Sequence, residues 1–154
     1  MKRINGLILL LGLILLSGCR QDDPDGIYYP FKNHVWQRFN ILKFELPVKQ
    51  SEKPYTLVFF ARHNQDYLYK SLDFSMVMNT PSGEERIREL QLMIRDADDN
   101  FLGNCDMEIC EATVVLNKEL YINKDGVLLV ELENLIPRME TPGLLGVGIR
   151  IKQN

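Results

Sequence analysis

Ala112-Thr113-Val114-Val115-Leu116 and Leu120-Tyr121-Ile122, then Asn123-Lys124-Asp125-Gly126, then Val127-Leu128-Leu129-Val130-Glu131-Leu132, form the stretch that decides the fold class. Apolar and β-branched residues crowd both sides of a polar break, which is the composition of two strands. The Asp125-Gly126 pair supplies the positive φ angles that a tight turn between antiparallel strands demands, so the stretch predicts a β-hairpin.

Outward from it, apolar residues recur with period two rather than the helical 3.6. Asn40, Leu42, Phe44 and Leu46 alternate with Phe39, Ile41, Lys43 and Glu45 before Pro47 ends the segment, which predicts a strand with the first set facing the core. Tyr55 to Arg62 is apolar on both faces and predicts a strand buried on both sides. Asp73 to Met78 is a further strand, and Asn79-Thr80-Pro81-Ser82-Gly83 turns it into another over Ile87 to Ile94. Glu133 to Gly143, with Pro137 and Pro142, reads as a connector with one short helical turn. Leu144 to Lys152 is a last strand in which Gly146 and Gly148 signal close packing or a bulge. Seven to nine short strands separated by turns predict an all-β, antiparallel two-sheet sandwich over residues 27–154.

The N-terminus has a different character. Lys2 and Arg3 precede an apolar run of eleven residues, Gly6 to Leu16, and Ser17-Gly18-Cys19 follows. At about 1.5 Å per helical residue such a run falls well short of a hydrocarbon core roughly 30 Å thick. The layout is that of a secretory signal over residues 1–18. A cysteine directly after Leu-Ser-Gly resembles the bacterial lipobox, which makes Cys19 the acylated first residue of the mature chain. Several acyl chains hold a protein stably where one does not. Behind it, Arg20-Gln21-Asp22-Asp23-Pro24-Asp25-Gly26 has the composition of a solvated acidic linker. Two readings of that linker stand side by side: a plain spacer, or the export signal of Bacteroidetes surface lipoproteins, which it resembles in Gln21-Asp22-Asp23.

Removing residues 1–18 takes away two basic residues and no acid, so the net charge moves from −3 to −5. That balance argues against nucleic acid and anionic headgroups as principal partners. Of three cysteines, lipid consumes Cys19, and Cys105 and Cys110 are expected to pair in an oxidising compartment. Closing so small a loop is worth about 2 kcal/mol in the chain-entropy model. Free thiols are the next reading and a metal site the least favoured, because His34 and His63 lie far away in sequence.

Little else bears chemistry. No nucleophile elbow, zinc-protease motif or phosphate-cradling glycine loop occurs, so no catalytic residue, cofactor or metal is assigned. Both histidines are expected at the surface. Asp96, Asp98 and Asn100 resemble the start of a calcium loop, but Phe101 stands where the sharp-turn glycine belongs and Met107 where a bidentate Glu is needed, so the segment reads as a solvated acidic turn. The aromatic group Tyr28, Tyr29, Phe31, Trp36 and Phe39 admits two readings. It is an interaction surface for sugar rings or a protein partner, or a strap that buries the same rings over the edge of the sandwich. Tyr67 and Tyr69 extend either one.

Taken in order, these landmarks resemble the GldH family of gliding-motility lipoproteins in Bacteroidetes. The resemblance runs from Cys19 through Trp36, Phe44-Glu45-Leu46-Pro47-Val48, Tyr55-Thr56-Leu57 with Arg62, and Tyr67-Leu68-Tyr69. It ends at Leu144-Leu145-Gly146-Val147-Gly148-Ile149-Arg150-Ile151, its most characteristic stretch. It implies a lipid-anchored, non-enzymatic protein of the cell envelope, at the outer membrane, that associates with motility or secretion machinery through an envelope protein partner. A surface glycan-binding lipoprotein is the alternative. The Cys105/Cys110 pair departs from the family pattern, and members also occur in species that do not glide.

Overall fold

The computed structural model describes residues 26–154. The signal segment, Cys19 and the acidic linker up to Asp25 lie outside the described residues. Eleven strands follow one another: β1 Gly26–Pro30, β2 Val35–Gln37, β3 Leu42–Val48, β4 Tyr55–His63, β5 Ser71–Asn79, β6 Glu85–Met93, β7 Asn104–Asp106, β8 Ile109–Leu120, β9 Gly126–Asn134, β10 Glu140–Pro142 and β11 Leu144–Gln153. They build a five-stranded sheet ordered β1-β11-β4-β8-β7, a four-stranded sheet ordered β3-β9-β5-β6 and a two-stranded ribbon β10-β2. Every pairing is antiparallel. The architecture is the expected all-β sandwich.

The apolar alternation decides which faces meet. Leu42, Phe44, Leu46 and Val48 of β3 are all buried while the residues between them are exposed, and β5 buries Leu72, Phe74, Met76 and Met78 between half-buried residues. Phe59 of β4 meets Phe74 of β5 at 4.4 Å between ring centroids, so the two sheets close on one another through a pair of aromatic rings. Burying each large side chain of this kind contributes about 1.5–3 kcal/mol. β4 is buried on both faces as its composition predicts: Leu57, Phe59 and Ala61 point into the sandwich, and Phe60 lies beneath Tyr28 and Arg150 on the other side.

Two local expectations hold. Asn79 pairs with Glu85 across the β5–β6 turn, where Gly83 takes a φ of +88°. The pairing of β11 with β4 shifts register between Leu144 and Gly146. The hairpin at Asp125-Gly126 does not form. β8 pairs with β4 and β7, whereas β9 pairs with β3 and β5, so the chain crosses from one sheet to the other between Leu120 and Gly126. Ile122 is buried in the crossing and its carbonyl accepts from the Ser51 N–H at 3.0 Å. Asp125 Oδ1 accepts from the Gln50 N–H at 2.6 Å. The acidic residue therefore ties the crossing to the end of β3 instead of bending a hairpin. The 133–143 connector carries the short strand β10 in place of a helical turn, because Thr141 pairs with Trp36 in β2.

Candidate functional site

The outer face of the five-stranded sheet carries a cluster of charged and aromatic side chains. Register builds it: Arg62 of β4 lies opposite Glu111 of β8 and Gly146 of β11, while Gly148 lies opposite Phe60 and Tyr28. Glycine is required here by contact. A Cβ on Gly146 would sit 2.4 Å from the Tyr28 hydroxyl, and one on Gly148 would sit 2.3 Å from the Phe60 ring. Tyr28 stacks on Phe60 with centroids 5.9 Å apart, and the Arg150 guanidinium carbon lies 3.8 Å over the Phe60 ring centroid. That of Arg62 lies 4.7 Å over Tyr28.

Glu111 holds the two guanidiniums together. It accepts from Arg62 Nε at 3.0 Å and from Arg150 Nη1 and Nη2 at 2.7 and 3.1 Å. Partial burial pushes the Glu111 carboxyl up, but the hydrogen bonds from Arg150 and Arg62 outweigh it and leave the group below the ordinary carboxylate range. Charge-assisted bidentate pairs of this kind fix geometry as well as adding energy. Burial likewise raises the Tyr28 phenol.

Beside this cluster, β7 and β8 form a two-residue hairpin, Met107-Glu108, with Cys105 opposite Cys110, a Cα–Cα distance of 4.0 Å and a disulfide between them. Met107 adopts a φ of +52° and is 92% exposed, with Ile109 also open to solvent. Arg62, Glu111, Asp106, Met107 and Ile109 line an open concavity of about 710 Å³ between the hairpin and the sheet face. The arrangement is a covalently closed apolar tip flanked by Asp106 and Glu108, next to a fixed ion-pair cluster.

The aromatic residues expected to form one surface are divided among three environments. Tyr28 belongs to the outer cluster just described. Tyr29 packs edge-on against Phe44 at 5.2 Å, and Phe31 stacks on Trp36 at 5.4 Å, both half-buried against the core. Trp36 is fully buried, donates its Nε1–H to the Asn40 carbonyl at 3.1 Å and accepts at its own carbonyl from Asn134 Nδ2 at 3.5 Å. It is core, as the strap reading holds, and offers no exposed ring to a partner. Phe39 alone of the group is largely exposed, at a φ of +66°. Tyr67 is buried with its hydroxyl donating to the Ser71 carbonyl at 2.7 Å, and Tyr69 packs edge-on against it.

His34 is exposed. His63, expected at the surface, is fully buried instead, because β4 runs on past Arg62 and turns this side chain inward among Tyr67, at 5.9 Å, and Phe101, at 4.9 Å. The Arg95 guanidinium carbon lies 3.8 Å from the Phe101 ring centroid. Among the described residues His63 Nε2 has no hydrogen-bond partner. Burial lowers the imidazole below its ordinary value, the Asn64 carbonyl at Nδ1 opposes this, and the nearby Arg95 charge adds to it. An unfolded histidine titrates near pH 6.5, so the unfolded chain binds a proton that the folded one refuses. Stability is therefore full above about pH 6.5 and falls as the pH drops through the lower folded value, with a slope of at most about 1.4 kcal/mol per pH unit for one proton. Urea unfolding between pH 7 and 5 checks this, and His63→Phe is expected to flatten the curve in that interval.

In the acidic turn the Asp96 carboxylate accepts from the backbone N–H groups of Asp98 and Asn100, both at 2.9 Å. Its oxygens are spent closing the loop. Sequence reasoning missed the Arg62–Glu111–Arg150 cluster, whose members come from β4, β8 and β11 and meet only through strand register.

The described residues thus form an antiparallel all-β sandwich with an outer ion-pair cluster and a disulfide-closed hairpin tip. The family model described as GldH lipoprotein matches residues 27–151, and the chain belongs to that family. It is 29% identical to the gliding motility lipoprotein GldH of Flavobacterium johnsoniae over 99% of both chains. It is 23% identical to the gliding motility lipoprotein GldH homolog of Christiangramia forsetii, over 96% of this chain and 94% of that one. No solved structure matches the fold.

Proposed function

We propose that this chain is a lipid-anchored component of a gliding-motility or secretion apparatus in the cell envelope, held at the outer membrane through acylated Cys19, and that it works as a non-enzymatic docking domain. The observation that carries the reading is similarity to the Flavobacterium johnsoniae protein along 99% of both chains, N-terminus included. The docking element is the disulfide-closed hairpin. A preorganised, exposed apolar tip loses little conformational freedom on binding, and Asp106 and Glu108 on either side of Met107 suit an apolar socket with a basic rim on the partner.

The experiment is crosslinking in the native envelope, followed by affinity purification and mass spectrometry. Motility or secretion proteins are expected with the wild-type chain. Met107→Glu is expected to reduce their recovery about tenfold, the effect of losing one interface anchor. Because the side chain is almost wholly exposed, folding stability stays within about 0.5 kcal/mol of wild type. Equal recovery with the variant would remove the hairpin from the proposal. Recovery of glycan-uptake proteins alone would replace the motility reading.

A further inference from the structure

We propose that the Cys105–Cys110 disulfide is a redox switch, opened by a thiol that attacks Cys105, and that the reduced state is held by a hydrogen bond from the freed Cys110 thiol to Nε2 of His63. The strand order β4-β8-β7 carries the argument. His63 pairs directly with Cys110, and Cys110 directly with Cys105, so the three side chains stand in a row across adjacent strands. Directly opposed residues share a face of the sheet, with Cβ atoms about 4.5–5.5 Å apart. The two sulfurs differ in access. Cys105 is exposed, whereas Cys110 is only 4% exposed and has His63 on its far side. A thiolate attacks a disulfide in line with the sulfur–sulfur bond, so access from behind decides which sulfur is taken. Cys105 is approached from solvent and Cys110 only through the core.

His63 supplies the partner for the freed thiol. Its Nδ1 lies 3.2 Å from the Asn64 carbonyl oxygen. A carbonyl only accepts, so Nδ1 carries the proton and Nε2 of the neutral ring is an acceptor. Burial and the Arg95 charge both favour that neutral ring. Among the described residues nothing donates to Nε2. The Tyr67 hydroxyl is spent on the Ser71 carbonyl, and Arg95 gives Nη1 and Nη2 to the carbonyls of Asp99 and Tyr67. A buried acceptor left unpaired costs free energy. The closed bridge offers no relief, because Cys110 Sγ is bonded to Cys105 and carries no proton. Reduction gives Cys110 an S–H and frees rotation about its Cα–Cβ bond, which brings the missing donor to a position one strand from the ring.

The reductant is a dithiol. Its first thiolate bonds to Cys105 Sγ, the Cys105–Cys110 bond breaks, and the electron pair leaves on Cys110 Sγ, which takes up a proton. Its second thiolate then displaces Cys105 from the mixed disulfide, and the released Cys105 thiolate is protonated in turn. The dithiol ends as its own disulfide, and the protein gains two electrons and two protons as two thiols. For the docking domain proposed above, opening the bridge releases the Met107 tip and lowers its preorganisation. That consequence rests on the docking reading, whereas the exchange and the hydrogen bond do not.

The test uses the full chain in a dithiothreitol redox buffer, stopped with acid and read by mass after alkylation. His63→Phe keeps an aromatic ring and removes the acceptor, and it is expected to make reduction about fivefold less favourable, the effect of losing one hydrogen bond. An unchanged equilibrium overturns the proposal. Nitrogen-15 NMR of the wild-type imidazole gives a second reading that needs no variant. Nε2 is expected to move upfield on reduction as it gains a donor, and an Nε2 signal that stays in place overturns the hydrogen bond. The point of attack is read from a short pulse of glutathione followed by acid and peptide mapping. Glutathione mainly on Cys105 is expected, and any other distribution overturns attack at that sulfur.

Discussion

Trp36→Ala is expected to destabilise the domain by about 3–5 kcal/mol, the range for truncating a large buried aromatic. The indole is fully buried, stacks on Phe31 and donates to the Asn40 carbonyl. Its backbone belongs to the β2–β10 ribbon, which Asn134 braces by donating to Thr141 Oγ1 at 2.8 Å and accepting from the Ile136 N–H at 2.9 Å. Alanine leaves a cavity at the point where the ribbon joins the core. With total stability of about 5–15 kcal/mol for an ordinary domain, such a loss takes a large share. Denaturant unfolding should show a lower midpoint at nearly constant slope. Any loss of envelope partners in this variant would then reflect lost folded protein. A midpoint within the error of wild type would mean that the indole is not the core residue described above.

Gly148→Val is the second large effect, at about 2–3 kcal/mol, as expected for overpacking a tight site. A side chain there meets the Phe60 ring on one side and the Ile27 carbonyl oxygen at 2.6 Å on the other. Phe60 cannot move alone, because Arg150 and Tyr28 lie against it. The substitution should therefore lower stability and also loosen β1 from β11. Backbone amide exchange of Ile27 and Tyr29 should rise more than that of Phe44 or Leu128 in the other sheet. The Gly-Val-Gly pattern of 146–148 thus has a physical reason: its two glycines are the floors on which Tyr28 and Phe60 rest.

Much of this fold was legible because it is local. The alternation of Leu42, Phe44 and Leu46 announces a half-buried strand, the double-sided apolar run of 55–62 announces a central one, and the Asn79–Gly83 turn joins strands that are neighbours in space as well as in sequence. Asp125-Gly126 misleads because the same dipeptide serves a hairpin and a sheet-to-sheet crossing. The choice between them depends on Gln50 and Ser51, more than seventy residues away. Burial of His63 was equally invisible, since two of the groups enclosing it are Phe101 and Arg95 from a later loop. The Tyr28-to-Trp36 aromatics were recognisable as a group. Period-two alternation sends Tyr28 and Tyr29 to opposite faces of β1, so one surface could not contain both.

The measurement that bears most directly on a docking domain is site-specific photocrosslinking in the native envelope. A photoreactive residue is placed at position 107 on the hairpin tip and, in a second strain, at position 89 on the exposed outer face of the four-stranded sheet. A discrete adduct with a motility or secretion protein is expected from position 107 and none from position 89. An adduct from position 89 alone, or none from either, would contradict it.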